Sequence, residues 1–363
     1  MTAPLQIGVH RSDHPVDDDR RRSILDAPGF GRYFTDHMLT ATWTPDAGWH
    51  DARVQAYGPF ALDPASAVLH YAQEVFEGLK AYRHADGSVW TFRPQVNAAR
   101  FRDSAARMAL PELPEDDFVR AVDTLVDVDQ AWVPTGGETS LYLRPFMFAS
   151  EVFLGVRPAK HVTLCVIASP AGSYFAGGVQ PVRIWLSEEF TRAAPGGTGA
   201  AKCGGNYAAS LLAQQEALAH GCDQVVFLDA VDRTWVEELG GMNLFFVHRD
   251  GHIVTPALTG SILAGVTRSS ILELADALGH KVEERQVSVD EWRDGIAAGD
   301  ITEVFACGTA AVLTPVGTLV WRSGEVSSPV DGAGPVTARI RGELLDIQYG
   351  RVEDAHGWMH RIC

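Results

Sequence analysis

Lys202 lies in a glycine-rich stretch, residues 196–207, whose sequence GGTGAAKCGGNY leads into a predicted helix. Glycines on both sides of the lysine let a large molecule approach its amine. A P-loop also carries a lysine in such a loop, but it requires glycine directly before the lysine and Ser or Thr directly after it. Ala201 and Cys203 occupy those positions, so the P-loop interpretation fails. The remaining alternatives are a solvated lysine and a partly desolvated lysine that bonds a carbonyl group covalently.

Four further features suit a ligand that carries both an anion and a cationic ring. They are the predicted helix start at 265–267, the turn at 308–310, Arg100, and the acidic pair Glu237–Glu238. A helix start offers backbone N–H groups to an anion, and an arginine offers a charged fork. Taken singly, each feature is more often a solvated group. Together with Lys202 they suit pyridoxal 5'-phosphate, whose aldehyde needs a lysine, whose phosphate needs donors, and whose pyridine nitrogen needs a carboxylate.

The bulk composition predicts a globular chain of two domains in a reducing compartment, which we take to be the cytoplasm. The chain has 363 residues, 46% of them hydrophobic, and this length exceeds one ordinary core. A net charge of −16 argues against nucleic acid and anionic membrane surfaces as partners. The five cysteines are few and unpatterned, so we expect neither a disulfide framework nor a metal site.

Periodicity and turn residues predict an α+β (mixed α/β) chain. In the first half, strands are predicted at 79–83, 89–92, 140–145 and 161–167, and helices at 98–108 (capped by Asn97) and 115–129. In the second half, strands are predicted at 182–186, 224–228, 234–238, 243–248 and 303–307, and helices at 207–220 and 267–278. The turn-rich segment 169–178 is predicted to connect two domains.

At this point the chain resembles a known family, the branched-chain amino acid aminotransferases, which are fold-type IV pyridoxal phosphate enzymes. The resemblance covers nearly the whole chain and is carried by many motifs in order. They include EGLKAYR at 77–83, LYLRP at 141–145, GGNY at 204–207, Glu238 with MNLFF at 242–246, GVTR at 265–268 and GTA at 308–310. So many ordered matches make the resemblance more specific than any single motif.

The resemblance implies a role for each matching residue. Lys202 bonds the cofactor and moves the proton during the reaction. The implied cofactor contacts are Glu238 at the pyridine nitrogen, Tyr207 at the ring oxygen, and Arg100, Val266, Thr267 and Thr309 at the phosphate. The implied substrate contacts are Phe30, Tyr71, Phe76 and Tyr142 around the side chain, Thr309 and Ala310 at the α-carboxylate, and Arg144 at the distal carboxylate of glutamate.

The resemblance also implies an architecture and an activity. We expect a smaller N-terminal α/β domain over 1–170, an interdomain loop over 171–182, and a larger C-terminal domain over 183–363, with the cofactor at the domain interface. The expected activity is amino transfer from leucine, isoleucine or valine to 2-oxoglutarate by a homodimer. Its partners are therefore small-molecule amino and oxo acids.

Two positions depart from the pattern of some family members. Ala311 and Thr314 stand where some animal members carry a redox-sensitive CxxC pair, so we expect no thiol switch there. Gly241 stands where some members carry a threonine.

Alternatives are a relative that acts on D-amino acids or aminodeoxychorismate, and a non-catalytic protein that binds pyridoxal phosphate. Arg144 within its strand and the full-length match favour the branched-chain interpretation.

Overall fold

The computed structural model describes residues 4–172 and 179–363. Its strands are β1 (Gly8–Val9), β2 (His37–Thr44), β3 (Gly48–Ala56), β4 (Glu74–Phe76), β5 (Leu79–Arg83), β6 (Val89–Phe92), β7 (Ser140–Ala149), β8 (Val162–Ala171), β9 (Val182–Ser187), β10 (Gln224–Leu228), β11 (Val236–Leu239), β12 (Asn243–His248), β13 (Ile253–Pro256), β14 (Val282–Arg285), β15 (Ile301–Gly308), β16 (Val312–Trp321), β17 (Gly324–Ser327) and β18 (Met359–Arg361). Its helices are α1 (Asp18–Asp26), α2 (Val68–Tyr71), α3 (Pro94–Arg107), α4 (Glu115–Val128), α5 (Gly204–Ala219), α6 (Val266–Ala277), α7 (Val289–Ala298) and α8 (Pro335–Gln348). No helix among these residues is long and apolar enough to cross a membrane.

The chain forms two compact units, each built around one sheet. The described part of the first unit contains residues 4–172, Ala201–Gly204 and Asp346–Cys363, and that of the second contains residues 179–200 and Gly205–Leu345. The first unit is therefore the larger, and the expectation of a smaller N-terminal domain over 1–170 is wrong. The C-terminal residues join the first unit because β18 pairs antiparallel with β6 and becomes the last strand of its sheet.

The sheet of the first unit has the order β1-β3-β2-β8-β7-β5-β6-β18, with β4 also paired to β7. Along β7 the side chains alternate between two environments, as strand geometry requires. Leu141 and Leu143 are fully buried in the core with Phe101 of α3, whereas Tyr142 and Arg144 are half-buried on the opposite face. Tyr142 and Arg144 therefore project from the same face of β7.

The sheet of the second unit has the order β11-β10-β9-β16-β15-β12-β13-β14, with β17 also paired to β16. Strand β9 runs parallel to β10 and β16, whereas β12, β15 and β16 pair antiparallel. The apolar faces of these strands pack with Trp292 and Ile296 of α7. This sheet fixes Glu238 on β11 and the turn that follows β15.

Most predicted elements are present, and their mixture of helices with two mixed sheets confirms the α+β class. Asn97 does not cap α3, because Pro94 begins that helix and suits its first turn. Asn97 is buried inside the helix instead.

The predicted connection at 169–178 is wrong in its first part. Ser169 and Pro170 belong to β8, opposite Tyr142 and Leu141 of β7. A proline fits there because β2 pairs with β8 only as far as Val166. Residues 173–178 of the predicted interdomain loop lie outside the described residues.

Candidate active site

The loop that carries Lys202 is fastened by its backbone. The N–H of Lys202 donates to Oγ of Ser104 (2.9 Å), and its carbonyl oxygen accepts from the N–H of Phe76 (3.0 Å). One residue after Cys203, the N–H of Gly204 donates to the Glu74 carboxylate. The lysine side chain extends over the Phe76 ring, with Nζ 4.7 Å from the ring centroid. These contacts fix the backbone of Lys202 and place its amine over the Phe76 ring.

The environment of Lys202 makes its amine less basic than an ordinary lysine. Desolvation and the positive charge of Arg100 lower the pKa of Lys202 from 10.5 to about 8, against the opposing charge of Glu77. Only the unprotonated amine is a nucleophile or a proton acceptor. A sizeable fraction of Lys202 is therefore in the reactive form near neutral pH.

This pKa predicts a pH dependence for capture of an aldehyde. We expect the rate at which Lys202 bonds pyridoxal to increase as the pH rises through about 8 and to level off above it, because the unprotonated amine then predominates. Absorbance changes of the cofactor-free protein, followed from about pH 6 to about pH 10, measure the profile. A rate that does not level off by about pH 10, as expected for the ordinary lysine value of 10.5, would contradict the proposed environment.

Arg100 lies beside Lys202 and forms a bidentate ion pair with Glu77. Its Nε donates to Glu77 Oε1 (2.7 Å) and its Nη2 to Glu77 Oε2 (2.8 Å). Burial would raise the pKa of Glu77, but the charge and hydrogen bonds of Arg100 hold it below the ordinary value. The part of Arg100 as a phosphate ligand stays a prediction.

A wall of aromatic rings and one guanidinium lies in the same unit. The guanidinium of Arg144 is 4.8 Å from the Phe76 ring centroid, and its Nη2 donates to Tyr142 Oη (3.1 Å). The rings of Phe30 and Tyr142 meet edge-on, with centroids 5.0 Å apart. Gly78 leaves room for this wall, since a Cβ on it would lie 2.1 Å from Tyr142 Oη.

Tyr71 is placed differently from the other predicted pocket residues. It is 40% exposed, and its hydroxyl donates to the carbonyl oxygen of Leu154 (2.5 Å). Its part in the substrate pocket therefore rests on the family resemblance alone.

In the second unit, Glu238 is a buried carboxylate held by neighbouring donors. Its Oε1 accepts from the N–H of Leu263 (2.8 Å) and lies 2.9 Å from Nη1 of Arg192. Its Oε2 accepts from Nδ2 of Asn243 (3.2 Å). A buried arginine beside the carboxylate favours its ionised form. Glu238 can therefore serve as a fixed negative charge.

The predicted anion donors at the start of α6 lie near Glu238. Helix α6 begins after Gly265, which has no side chain to cap the helix, and Val266 and Thr267 form the buried first turn. A Cβ at position 265 would lie 2.1 Å from Oδ1 of Asn243, so any other residue there would displace the Asn243 side chain. The same Asn243 therefore links the helix start to Glu238.

The turn at 308–310 lies against the turn that follows β11. A Cβ on Gly308 would lie 3.3 Å from Cγ of Met242, and one on Gly241 would lie 3.5 Å from Cε1 of Tyr207. Three predicted site residues are therefore in the same part of the second unit as Glu238. They are Thr309 and Ala310 in the turn at 308–310, and Tyr207 beside the turn that follows β11. Their roles in binding cofactor and substrate stay predictions.

Two charged residues of the site were missed as functional candidates, Glu77 and Arg192. Glu77 begins one of the motifs that carry the resemblance, but nothing in its sequence context shows that it pairs with Arg100. Arg192 shortly precedes the lysine loop and looks like a solvated arginine in sequence. A sequence does not show that a charged residue is buried unless the residue that pairs with it is also known.

Comparisons with known proteins show the family to which the chain belongs. The family model of the class IV aminotransferases (Amino-transferase class IV) matches residues 74–319, and the chain belongs to this family. It is 60% identical, over 100% of both chains, to the probable branched-chain-amino-acid aminotransferase of Streptomyces coelicolor. It is 57% identical to the branched-chain-amino-acid aminotransferase of Mycobacterium tuberculosis, over 99% of this chain and 98% of that one.

Solved structures give the same result. The crystal structure of the Escherichia coli branched-chain amino acid aminotransferase matches with a TM-score of 0.75 and 30% identity, over 90% of this chain and 99% of that one. The branched-chain amino acid aminotransferase from Thermobaculum terrenum, in its PLP form, matches with a TM-score of 0.71 and 25% identity, over 89% of this chain and 98% of that one.

Proposed function

We propose that this chain is a branched-chain amino acid aminotransferase that reversibly transfers the amino group of leucine, isoleucine or valine to 2-oxoglutarate. The observation that carries the proposal is a desolvated Lys202 amine in the same unit as the wall formed by Phe76, Tyr142 and Arg144. The amine suits covalent bonding to an aldehyde cofactor, and the wall suits side chains that are apolar or carry a carboxylate. Full-length identity to branched-chain aminotransferases supports the substrate class.

The residues present fit pyridoxal 5'-phosphate as the cofactor. The first unit supplies Lys202, and Arg100 for the phosphate. The second supplies Glu238 for the pyridine nitrogen, Tyr207 for the ring oxygen, and Val266, Thr267 and Thr309 for the phosphate. When bound, the cofactor supplies an electron sink that makes the substrate α-proton acidic. Lys202 accepts that proton and returns it, a task that suits an amine with a pKa of about 8.

Arg144 gives the same site a means of binding two unlike side chains. Its Nε is buried without a hydrogen-bond partner among the described residues, and its guanidinium lies over Phe76. Leucine needs only the apolar rings, whereas the distal carboxylate of glutamate is costly to desolvate unless it is paired. We propose that this carboxylate pairs with Arg144 and that Thr309 and Ala310 bind the α-carboxylate.

We expect Arg144→Met to separate the two substrates. The variant should lose about 2–5 kcal/mol in kcat/KM for glutamate and 2-oxoglutarate, the range for removing one partner of a buried charge pair. Leucine and its oxo acid should change much less, because methionine keeps the apolar volume. Half-reaction rates with each substrate measure the difference.

Arg293→Met is the matched control for that variant. Arg293 also lies over an aromatic ring, 4.4 Å from the centroid of Trp321, but it belongs to the second unit and pairs with Asp290. It should leave both half-reactions unchanged. Equal losses for leucine and glutamate in Arg144→Met would mean that the distal carboxylate is bound elsewhere.

A panel of amino donors tests the proposed function directly. Purified protein with pyridoxal 5'-phosphate and 2-oxoglutarate should form glutamate from leucine, isoleucine and valine, and not from D-alanine. The visible absorption of the bound cofactor should change when leucine is added. Turnover of D-alanine with no turnover of leucine would overturn the proposal, and so would a bound cofactor that responds to neither.

We further propose that the enzyme works as a homodimer in the cytoplasm. Helix α5 exposes Leu211 and Leu218, 65% and 62% accessible, one below the other on a face that a second copy could cover. Light scattering of the purified protein should give twice the mass of one chain. A mass equal to one chain at micromolar concentration would contradict the dimer.

A further inference from the structure

Glu77 is a fully buried carboxylate close to Lys202. Its side chain has no exposed surface, and both of its oxygens are used. Besides the two bonds from Arg100, Oε2 accepts from Nδ2 of Asn97 (2.7 Å) and from the N–H of Gly78 (3.1 Å). A carboxylate held by donors from helix α3 and from its own turn cannot rotate. Its position is therefore fixed by the fold.

This fixed carboxylate determines how Arg100 is oriented. The edge of the guanidinium formed by Nε and Nη2 faces Glu77. A further anion would therefore meet the guanidinium through the donors that do not face Glu77. Arg100 is itself on α3, three residues after Asn97, so one helix face supplies both the arginine and the amide that holds its partner.

We propose that Glu77 is a positioning residue that holds the Arg100 guanidinium in the orientation that binds the phosphate of the cofactor. This inference rests on the proposed function, because it takes pyridoxal 5'-phosphate as the ligand. Glu77 touches neither the reacting atoms nor the phosphate and acts through Arg100. Its charge also partly offsets the effect of Arg100 on the Lys202 amine.

A purely structural part for Glu77 predicts something different. If Glu77 only compensated a buried charge, its loss would lower the free energy of unfolding and weaken every ligand equally. If it positions Arg100, its loss should weaken a ligand with a phosphate more than the same ligand without one. Pyridoxal 5'-phosphate and pyridoxal form such a pair.

The experiment measures dissociation constants of both ligands for the cofactor-free protein. We expect Glu77→Gln to reduce the preference for pyridoxal 5'-phosphate over pyridoxal by about 10- to 100-fold, the range for one charge-assisted hydrogen bond. In an Arg100→Met background the same substitution should change the preference by less than about twofold, because Glu77 then has nothing to position. An effect of equal size in both backgrounds would overturn the proposal.

A buried carboxylate elsewhere provides the matched control. Glu303 is buried in the second unit and accepts from Thr337 at the start of α8. Glu303→Gln should lower the melting temperature without changing the preference for the phosphate. If Glu77→Gln does not fold, Glu77→Asp replaces it, since it keeps the charge but withdraws the carboxylate by one methylene, and the preference should still fall.

The outcomes separate this inference from the proposed function. A wild-type protein that binds pyridoxal 5'-phosphate without developing a visible absorption band would contradict the function itself. A wild-type protein that shows the band and prefers the phosphate, with an unchanged preference in Glu77→Gln or Glu77→Asp, would contradict only the role of Glu77.

The negative charge of Glu77 provides a second readout, the pH dependence of the Lys202 amine. Removal of the negative Glu77 should lower the pKa of Lys202, so the pH profile for bonding pyridoxal should shift to lower pH. A shift to higher pH in Glu77→Gln would mean that the negative charge of Glu77 does not stabilise the protonated Lys202 amine. That result would contradict the proposed arrangement of Glu77, Arg100 and Lys202.

Discussion

Lys202→Ala is expected to abolish amino transfer while the fold is retained. The loss of a general acid–base group alone reduces turnover by roughly 10²–10⁴-fold, and the covalent attachment of the cofactor is lost with it. The fold should survive because the backbone bonds of residue 202 to Ser104 and Phe76 remain when the side chain is shortened. Steady-state turnover of leucine with 2-oxoglutarate and a thermal unfolding curve measure the two effects.

Lys281→Ala provides the control for the loss of a lysine. Lys281 is exposed and belongs to the second unit, so its removal should change neither turnover nor melting temperature. A Lys202→Ala protein that retained turnover within about tenfold of the wild type would contradict the proposed role, since the acid–base contribution alone exceeds that factor.

Strand β7 shows how far sequence reasoning reaches in this fold. Alternation along a strand is local, so the strand predicted at 140–145 is enough to place Tyr142 and Arg144 on the same face. The same holds for the hairpin of β5 and β6, whose turn residues lie next to one another in the chain.

Features set by distant segments are not predictable in this way. Pro94 begins α3, although the sequence favours Asn97 as its cap, and Asn97 instead binds Glu77 in the turn between β4 and β5. Ser169 and Pro170 look like loop residues, yet they form a strand because β7 runs beside them. The three residues of β18 are too few to show a period, so their return to the first unit leaves no signal in the sequence.

The residues of the candidate site also differ in whether the sequence alone identifies them. Lys202, Arg144 and Glu238 stand out in sequence because each lies in a motif with a chemical meaning. Glu77 and Arg192 acquire a functional meaning only from the ion pairs that they form. Glu77 pairs with Arg100, 23 residues away in the chain. Arg192 pairs with Glu238, which follows the lysine loop, α5 and β10. Pair distances, unlike residue types, are a product of the tertiary structure.

Arg192 changes what is expected of Glu238. The two charges are buried together, and the Glu238 carboxylate also accepts from the N–H of Leu263 and from Asn243. Removing one member of such a pair leaves the other buried without compensation, which typically costs about 3–5 kcal/mol of stability. A loss of stability in Glu238 variants must therefore be separated from a loss of chemistry.

Glu238→Gln is expected to retain the cofactor and to slow the chemical step by roughly 10²–10³-fold, the range for losing one preorganised electrostatic contact. A neutral amide cannot hold the ring nitrogen in its protonated form, so the α-proton becomes less acidic. Single-turnover rates with leucine on cofactor-loaded protein isolate this step from stability. Glu237→Gln is the matched control, because strand alternation places Glu237 on the opposite face of β11, where it binds Ser261. Unchanged rates in Glu238→Gln, with slow rates in Glu237→Gln, would assign the ring nitrogen to the neighbouring carboxylate.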